Sequence, residues 1–385
     1  MSFFFDEICQ DLKLSIRKFA QDELAPHAEE LDEKQEFNQA AFKKLGQLGL
    51  LGITADTDHG GSGLGAIAAT MAMEELGAEC ASTTLSYLAH SILAVNNLNQ
   101  NGSEDQKKRY LPKLCSGEWT GAMCMSEPGA GSDALGMSTK AELKGDHYIL
   151  NGTKMWITNG PYADFFWVYA KTGDDKKNIS TFIVEKSFEG FSVGKKLSKY
   201  GMRASPTSEI IFDNCKVPKE NLVGQLNDSV HHMMNNLLIE RITISGISLG
   251  IARKCIEYVT QYTKDRKQFG KALIDFQMIQ QILAEATANY LAARSLTYEA
   301  AKALENNDSK LAEQLGTAAK LHSAQMATKV GLDAIQALGG YGYTKEYPVE
   351  RYQRDAKLME IGAGTNEVMR IILAKQLKNN FIPGF

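Results

Sequence analysis

Apolar residues return every three or four positions through LKLSIRKFAQDELAPHAEELDE (residues 12–33) and GAIAATMAMEELGAECA (65–81). That period predicts amphipathic helices, and residues 1–120 read as an N-terminal helical domain. Between them, DTDHGGSGLG carries Gly60, Gly61, Gly63 and Gly65 and reads as a loop. From 121 to 230 the pattern shortens to β-branched and aromatic runs: HYILNG, KMWITN, FFWVYA, STFIVE and SEIIFD, separated by Gly, Asp, Asn and Lys. With no ten-residue helical pattern between these runs, an antiparallel β-domain is expected rather than parallel crossovers. No proline intervenes between Pro218 and Pro348, and helical periodicity resumes through residues 233–266 and 276–304. Gly339, Gly340, Gly342 and Tyr347-Pro348 then interrupt it before a last helix from about Asn366 to Lys378. The class is therefore α+β, with residues 231–385 forming a C-terminal four-helix bundle.

Composition narrows the chemistry. The 385 residues hold 42 Lys+Arg against 46 Asp+Glu, a net charge of −4, so no basic field exists to collect nucleic-acid phosphates. The six cysteines contain no Cys-x-x-Cys pair, which suits reduced, mostly buried thiols rather than zinc or a redox dithiol. No 18 uncharged apolar residues run together, so no membrane-spanning helix is expected. The start MSFFFDEICQDLK sets Asp6 and Glu7 where a secretory signal needs a basic start, and a cytoplasmic location is expected. His231 and His232 stand too isolated to be read as metal ligands.

Gly129-x-Gly131-x-x-Ala134 spells a dinucleotide fingerprint, yet that mechanism needs a strand before it and a long helix after it. Strands follow instead. The loop reads as a Pro-Gly turn whose amides, with the Ser126 and Ser132 hydroxyls, suit a flavin edge or a phosphate.

MCMSEPGAGSD followed by ILNGTKMWITNG resembles the middle domain of the acyl-CoA dehydrogenase family, and DRKQFGKALIDFQ, QALGGYGY and RDAKLMEIGAGTNEVMR extend the resemblance in order along the chain. The resemblance implies a homotetramer with one FAD per subunit and an electron-transferring flavoprotein as oxidant. By matching positions, Met123, Met125, Ser126, Gly131 and Ser132 would line the flavin, with Ser132 also near the acyl-CoA. Trp156, Ile157 and Thr158 would complete that pocket. Arg266, Gln277, Gln336, Gly339 and Gly340 match positions that reach FAD, partly across a subunit interface, and Thr365 and Glu367 match a C-terminal cofactor contact. Arg241, Gly362, Ala363 and Gly364 fall on the substrate side.

Forming a 2,3-enoyl-CoA removes an α-proton as a hydride leaves the β-carbon for the flavin, so one carboxylate must serve as base. In much of the family it lies in Tyr-Glu-Gly-Thr near the C-terminus, where this chain has Gly362-Ala363-Gly364-Thr365. Glu240, inside the apolar run LLIERITIS, is the substitute, since desolvation there raises a carboxyl toward a working base. This pair of changes resembles the isovaleryl-CoA branch of the family. Gly362 in place of an aromatic leaves room for a methyl branch, so a short branched acyl-CoA is expected. Rivals are a longer branched or straight-chain dehydrogenase, an acyl-CoA oxidase and a non-enzymatic helical scaffold. Leu238 and His231 depart from the family pattern on the CoA side.

Overall fold

A computed structural model describes residues 7–378, so the aromatic run at residues 3–5 and Asp6 lie outside the described residues. The N-terminal part is built from α1 (Glu7–Phe19), α2 (Ala28–Lys34), α3 (Gln39–Gln47), α4 (Ala66–Glu79), α5 (Ala81–His90), α6 (Asn97–Asn101) and α7 (Glu104–Ser116). Ser103 and Gln106 begin α7 with a reciprocal capping box. The pattern predicts an amphipathic α4, yet the helix is buried on all sides, including Glu74 and Glu75. Their charges are matched rather than solvated. Glu74 accepts from the Tyr290 and Tyr298 hydroxyls at 2.7 and 2.6 Å, and Glu75 accepts from Arg17 and Arg253 at 2.8 Å.

The middle part is an eight-stranded sheet containing β1 (Gly121–Cys124), β2 (Lys140–Lys144), β3 (His147–Thr158), β4 (Phe165–Lys171), β5 (Ile179–Glu185), β6 (Phe191–Lys196), β7 (Thr207–Pro218) and β8 (Leu222–Val223). The order is β6-β7-β3-β2-β4-β5-β8, antiparallel apart from one parallel contact of β2 with β4 at Lys140 and Lys171. Off this path, β1 also lies parallel to β4, from Gly121 opposite Phe165 to Cys124 opposite Val168. The long excursion through β2 and β3 before β4 makes that arrangement possible. β4 is covered on both faces: Phe165, Trp167 and Tyr169 meet apolar residues of α6, α7 and the helical part that follows the sheet, while Phe166, Val168 and Ala170 face Ile210 and Phe212. Double coverage explains why FFWVYA is continuously apolar.

The C-terminal part comprises α8 (Ser229–Asp265), α9 (Gln277–Glu305), α10 (Ser309–Leu338), α11 (Val349–Met359) and α12 (Asn366–Lys378). α8, α9 and α10 pack along one another, α4 lies against α8, and α12 closes on α10. Cys80, Cys115, Cys124, Cys215 and Cys255 are buried thiols, as expected. Among the described residues no helix is long and apolar enough to cross a membrane.

Candidate active site

Glu240 is buried in the body of α8, and its Oε2 has no hydrogen-bond partner. Burial pushes its carboxyl up to about 7, against the opposing pull of Arg241 and Lys320. Such a group is poised to gain or lose a proton near neutrality. Arg241 is buried beside it, with its Nε unpartnered. Lys320, on α10, was not singled out from sequence. Its only signal is one charge within the small-residue run GTAAKLHSA. Burial pushes its ammonium down to about 8, with Glu240 drawing it back up, and its Nζ donates to the Gly364 carbonyl.

That hydrogen bond ties α10, which packs on α8, to the Gly362–Thr365 loop. The loop turns through left-handed backbone at Ala363 (φ 55°) and Gly364 (φ 89°). Thr365 Oγ1 then accepts from the Val368 amide at 3.2 Å as α12 begins. A Cβ placed on Gly362 would make ordinary contact with Leu358, its nearest atom 3.6 Å away, so a side chain could start there without a clash. Glu367 is exposed and paired with Arg370 at 3.1 Å.

β3 presents Trp156. Strict alternation would carry the inward face from Lys154 to Trp156; instead Lys154 and Ile157 both point inward, and the register with β7 shifts between them. This bulge holds Trp156 at φ 64° with 61% of its surface exposed. A large indole left outward by a strained backbone fits a platform for a planar ring. The Met155 amide donates to the Ser126 carbonyl at 2.8 Å, bringing the Met123–Ser132 segment alongside the bulge. A Cβ at Gly129 or Gly131 would meet nothing within 4 Å, so the backbone there is open to a ligand. Met123 links the two sides: its Sδ lies 3.8 Å from Asn97 Nδ2 and 3.9 Å from Asn236 Nδ2, and Asn236 is one turn before Glu240. Asn159, also missed from sequence, ends the strand at φ 67° and donates to the carbonyls of Ser86 and Gly121 at 2.9 and 3.1 Å.

Arg266, Gln277, Gln336, Gly339 and Gly340 are not brought to Glu240. The helix from Glu240 to the end of α8 rises about 37 Å at 1.5 Å per residue. At that far end the Arg266 guanidinium lies over the Tyr341 ring, 5.6 Å from its centroid. Gln277 opens α9, and Gln336 lies in the last turn of α10 beside Gly339 and Gly340. Phe269, Met278 and Tyr343 are strongly exposed in the same region.

His231 meets the edge of the His232 ring and lies 3.4 Å from Asp228, while burial pushes His232 down to about 4. Among the described residues no group of three or more His, Cys, Asp or Glu could hold a metal. Leu238 packs with Ile242, Ala300 and Ala301, an apolar neighbourhood that a carboxylate would not share.

Family models describe the same three parts. The acyl-CoA dehydrogenase N-terminal domain matches residues 6–118, the middle domain 122–215 and the C-terminal domain 230–378. The chain is 45% identical over 378 residues to the mitochondrial isovaleryl-CoA dehydrogenase of Pongo abelii, covering 97% of this chain and 89% of that one. It is 41% identical over 364 residues to the short-chain specific acyl-CoA dehydrogenase of Clostridium acetobutylicum, covering 94% and 96%. A chain from the structural work on the electron transferring flavoprotein of Acidaminococcus fermentans superposes with a TM-score of 0.94 at 39% identity, covering 98% of this chain and 99% of that one.

Proposed function

The chain belongs to the acyl-CoA dehydrogenase family of flavin-dependent oxidoreductases, and within it we propose that the substrate is a short branched acyl-CoA, isovaleryl-CoA foremost, with Glu240 as the α-proton base. The observation that carries this reading is a buried carboxyl with an unpartnered oxygen, held near 7, while Ala363 occupies the C-terminal loop. The cofactor we propose is FAD, lined by the Met123–Ser132 backbone and by Trp156, Ile157 and Thr158. When bound it supplies the hydride acceptor for the β-carbon.

The residues of the chain do the rest. Burial around Glu240 excludes water and leaves one carboxylate oxygen free to take the α-proton. Lys320 and Arg241 keep part of that carboxyl ionised at neutral pH. Gly362, by carrying no side chain, is proposed to leave lateral room for a methyl branch.

The electron acceptor is proposed to be an electron-transferring flavoprotein, a reading supported by the Acidaminococcus fermentans neighbour. Assembly as a homotetramer is supported by the exposed Phe269, Met278 and Tyr343 beside Arg266, a patch that suits burial against another subunit.

The test of the substrate is kcat/KM for isovaleryl-, butyryl- and octanoyl-CoA with the FAD-loaded protein. Isovaleryl-CoA should exceed octanoyl-CoA by on the order of tenfold or more, since a misplaced methylene is worth roughly 1–3 kcal/mol. Equal values, or a preference for butyryl-CoA, would move the assignment to the straight-chain enzymes.

A further inference from the structure

Directly beneath the proposed flavin platform lies an ion pair that the dehydrogenation chemistry does not use. Lys154 and Glu127 are both buried, with Nζ 2.9 Å from Oε1. Lys154 Nζ also donates to the Met125 carbonyl at 3.1 Å. Glu127 Oε1 accepts from the Thr139 amide at 2.9 Å, and Oε2 accepts from the Ser138 amide and hydroxyl at 2.6 and 2.7 Å. Burial raises the Glu127 carboxyl, but Lys154 and these donors outweigh it and hold the group down to about 2. The Glu127 carboxyl is therefore ionised at neutral pH, while burial lowers the Lys154 ammonium from its usual range and Glu127 draws it back up.

The location of the pair matters more than its strength. Lys154 is the residue immediately before the bulge that turns Trp156 outward, and Glu127 lies within the Met123–Ser132 loop. Around them the Met155 amide donates to the Ser126 carbonyl, and Glu127 and Ala130 exchange backbone hydrogen bonds at 3.0 and 3.1 Å. Desolvating two charges is unfavourable, and an apolar pair of similar volume would hold the sheet at least as well. An apolar pair could not grip three donors and a carbonyl in fixed directions.

We propose that Lys154 and Glu127 are positioning residues that lock the Met125–Glu127 backbone to the Trp156 bulge, setting both strips of the platform in register before the cofactor binds. The inference rests on the reading that this platform takes FAD. A preformed platform binds more tightly because less ordering is left to the binding step.

The experiment is FAD titration of the apoprotein by quenching of flavin fluorescence, for wild type and Lys154→Met/Glu127→Leu, with the thermal unfolding of each apoprotein measured in parallel. The double variant should remain folded at the titration temperature, bind FAD on the order of tenfold more weakly, and show a blurred visible spectrum of the bound flavin. An unchanged Kd and spectrum in a folded double variant would overturn the positioning role while leaving the flavin reading intact. Wild-type apoprotein that takes no FAD would overturn both. Should the double variant not fold, Ser138→Ala, which removes one donor at an exposed residue, decides the matter: faster FAD release at unchanged unfolding temperature supports the proposal, and an unchanged release rate overturns it.

Discussion

Lys320 donates its hydrogen bond to the carbonyl oxygen of Gly364 while its charge acts on Glu240, the buried carboxyl of the neighbouring helix. One ammonium thus holds the left-handed turn of the C-terminal loop and opposes the desolvation of the proposed base. The two halves of the proposed substrate side, on α8 and on the loop before α12, share this residue.

The pH dependence of kcat/KM for flavin reduction should carry this relationship. Glu240 must be ionised to take a proton, and burial sets its carboxyl at about 7, so the rate should rise through about pH 7 and level off above it. Lys320→Met removes a cation that favours the ionised form, and the rise should move to higher pH. Lys320→Arg should move it back. A profile that stays in place in Lys320→Met would show that the ammonium serves the loop alone.

Gly364→Ala tests the turn itself. At φ 89° an added Cβ is strained, and it would come 2.7 Å from Met369 Cε. Urea unfolding should show a loss of about 1–3 kcal/mol, and turnover should fall with it. A neutral substitution would mean that the loop relaxes freely.

Gly362→Tyr should place a ring beside Leu358. Loss of kcat/KM for isovaleryl-CoA should exceed that for butyryl-CoA by on the order of tenfold, because the ring competes with a branch that the straight chain lacks. Equal losses would make Gly362 a turn residue without a role in selection.

Much of this arrangement was legible in the chain. The change from helical to strand periodicity marked the three parts, and the apolar run around Glu240 pointed to a desolvated carboxyl. KMWITN announced Trp156 but not its orientation, since alternation gives no warning of a bulge between Lys154 and Ile157. Lys320, Asn159 and the Lys154–Glu127 pair were hidden because their partners lie far away in sequence, where periodicity carries no information. Glu74 and Glu75 misled for the same reason: acids on α4 suggest a wet face until Tyr290, Tyr298, Arg253 and Arg17 arrive from other helices. Where Arg266, Gln277, Gln336, Gly339 and Gly340 fall relative to Glu240 could not be read from periodicity. Only the structure separates them from Glu240 by most of the length of α8.

Moving the base offers a positive test of the geometry. Glu240→Gly combined with Ala363→Glu should restore part of the reduction lost in Glu240→Gly alone. Recovery should be incomplete, because residue 363 lies on a loop before α12, where a carboxylate is less closely positioned than in the body of α8. No recovery in a folded, FAD-loaded protein would mean that the loop does not face the thioester.

The most direct measurement is anaerobic stopped-flow reduction of the FAD-loaded Glu240→Gln variant by isovaleryl-CoA. The amide has the size of the carboxyl and cannot accept the α-proton, so FAD and acyl-CoA should still bind while the reduction rate falls on the order of 100-fold or more. Reduction at the wild-type rate would place the base elsewhere and contradict the mechanism proposed for Glu240.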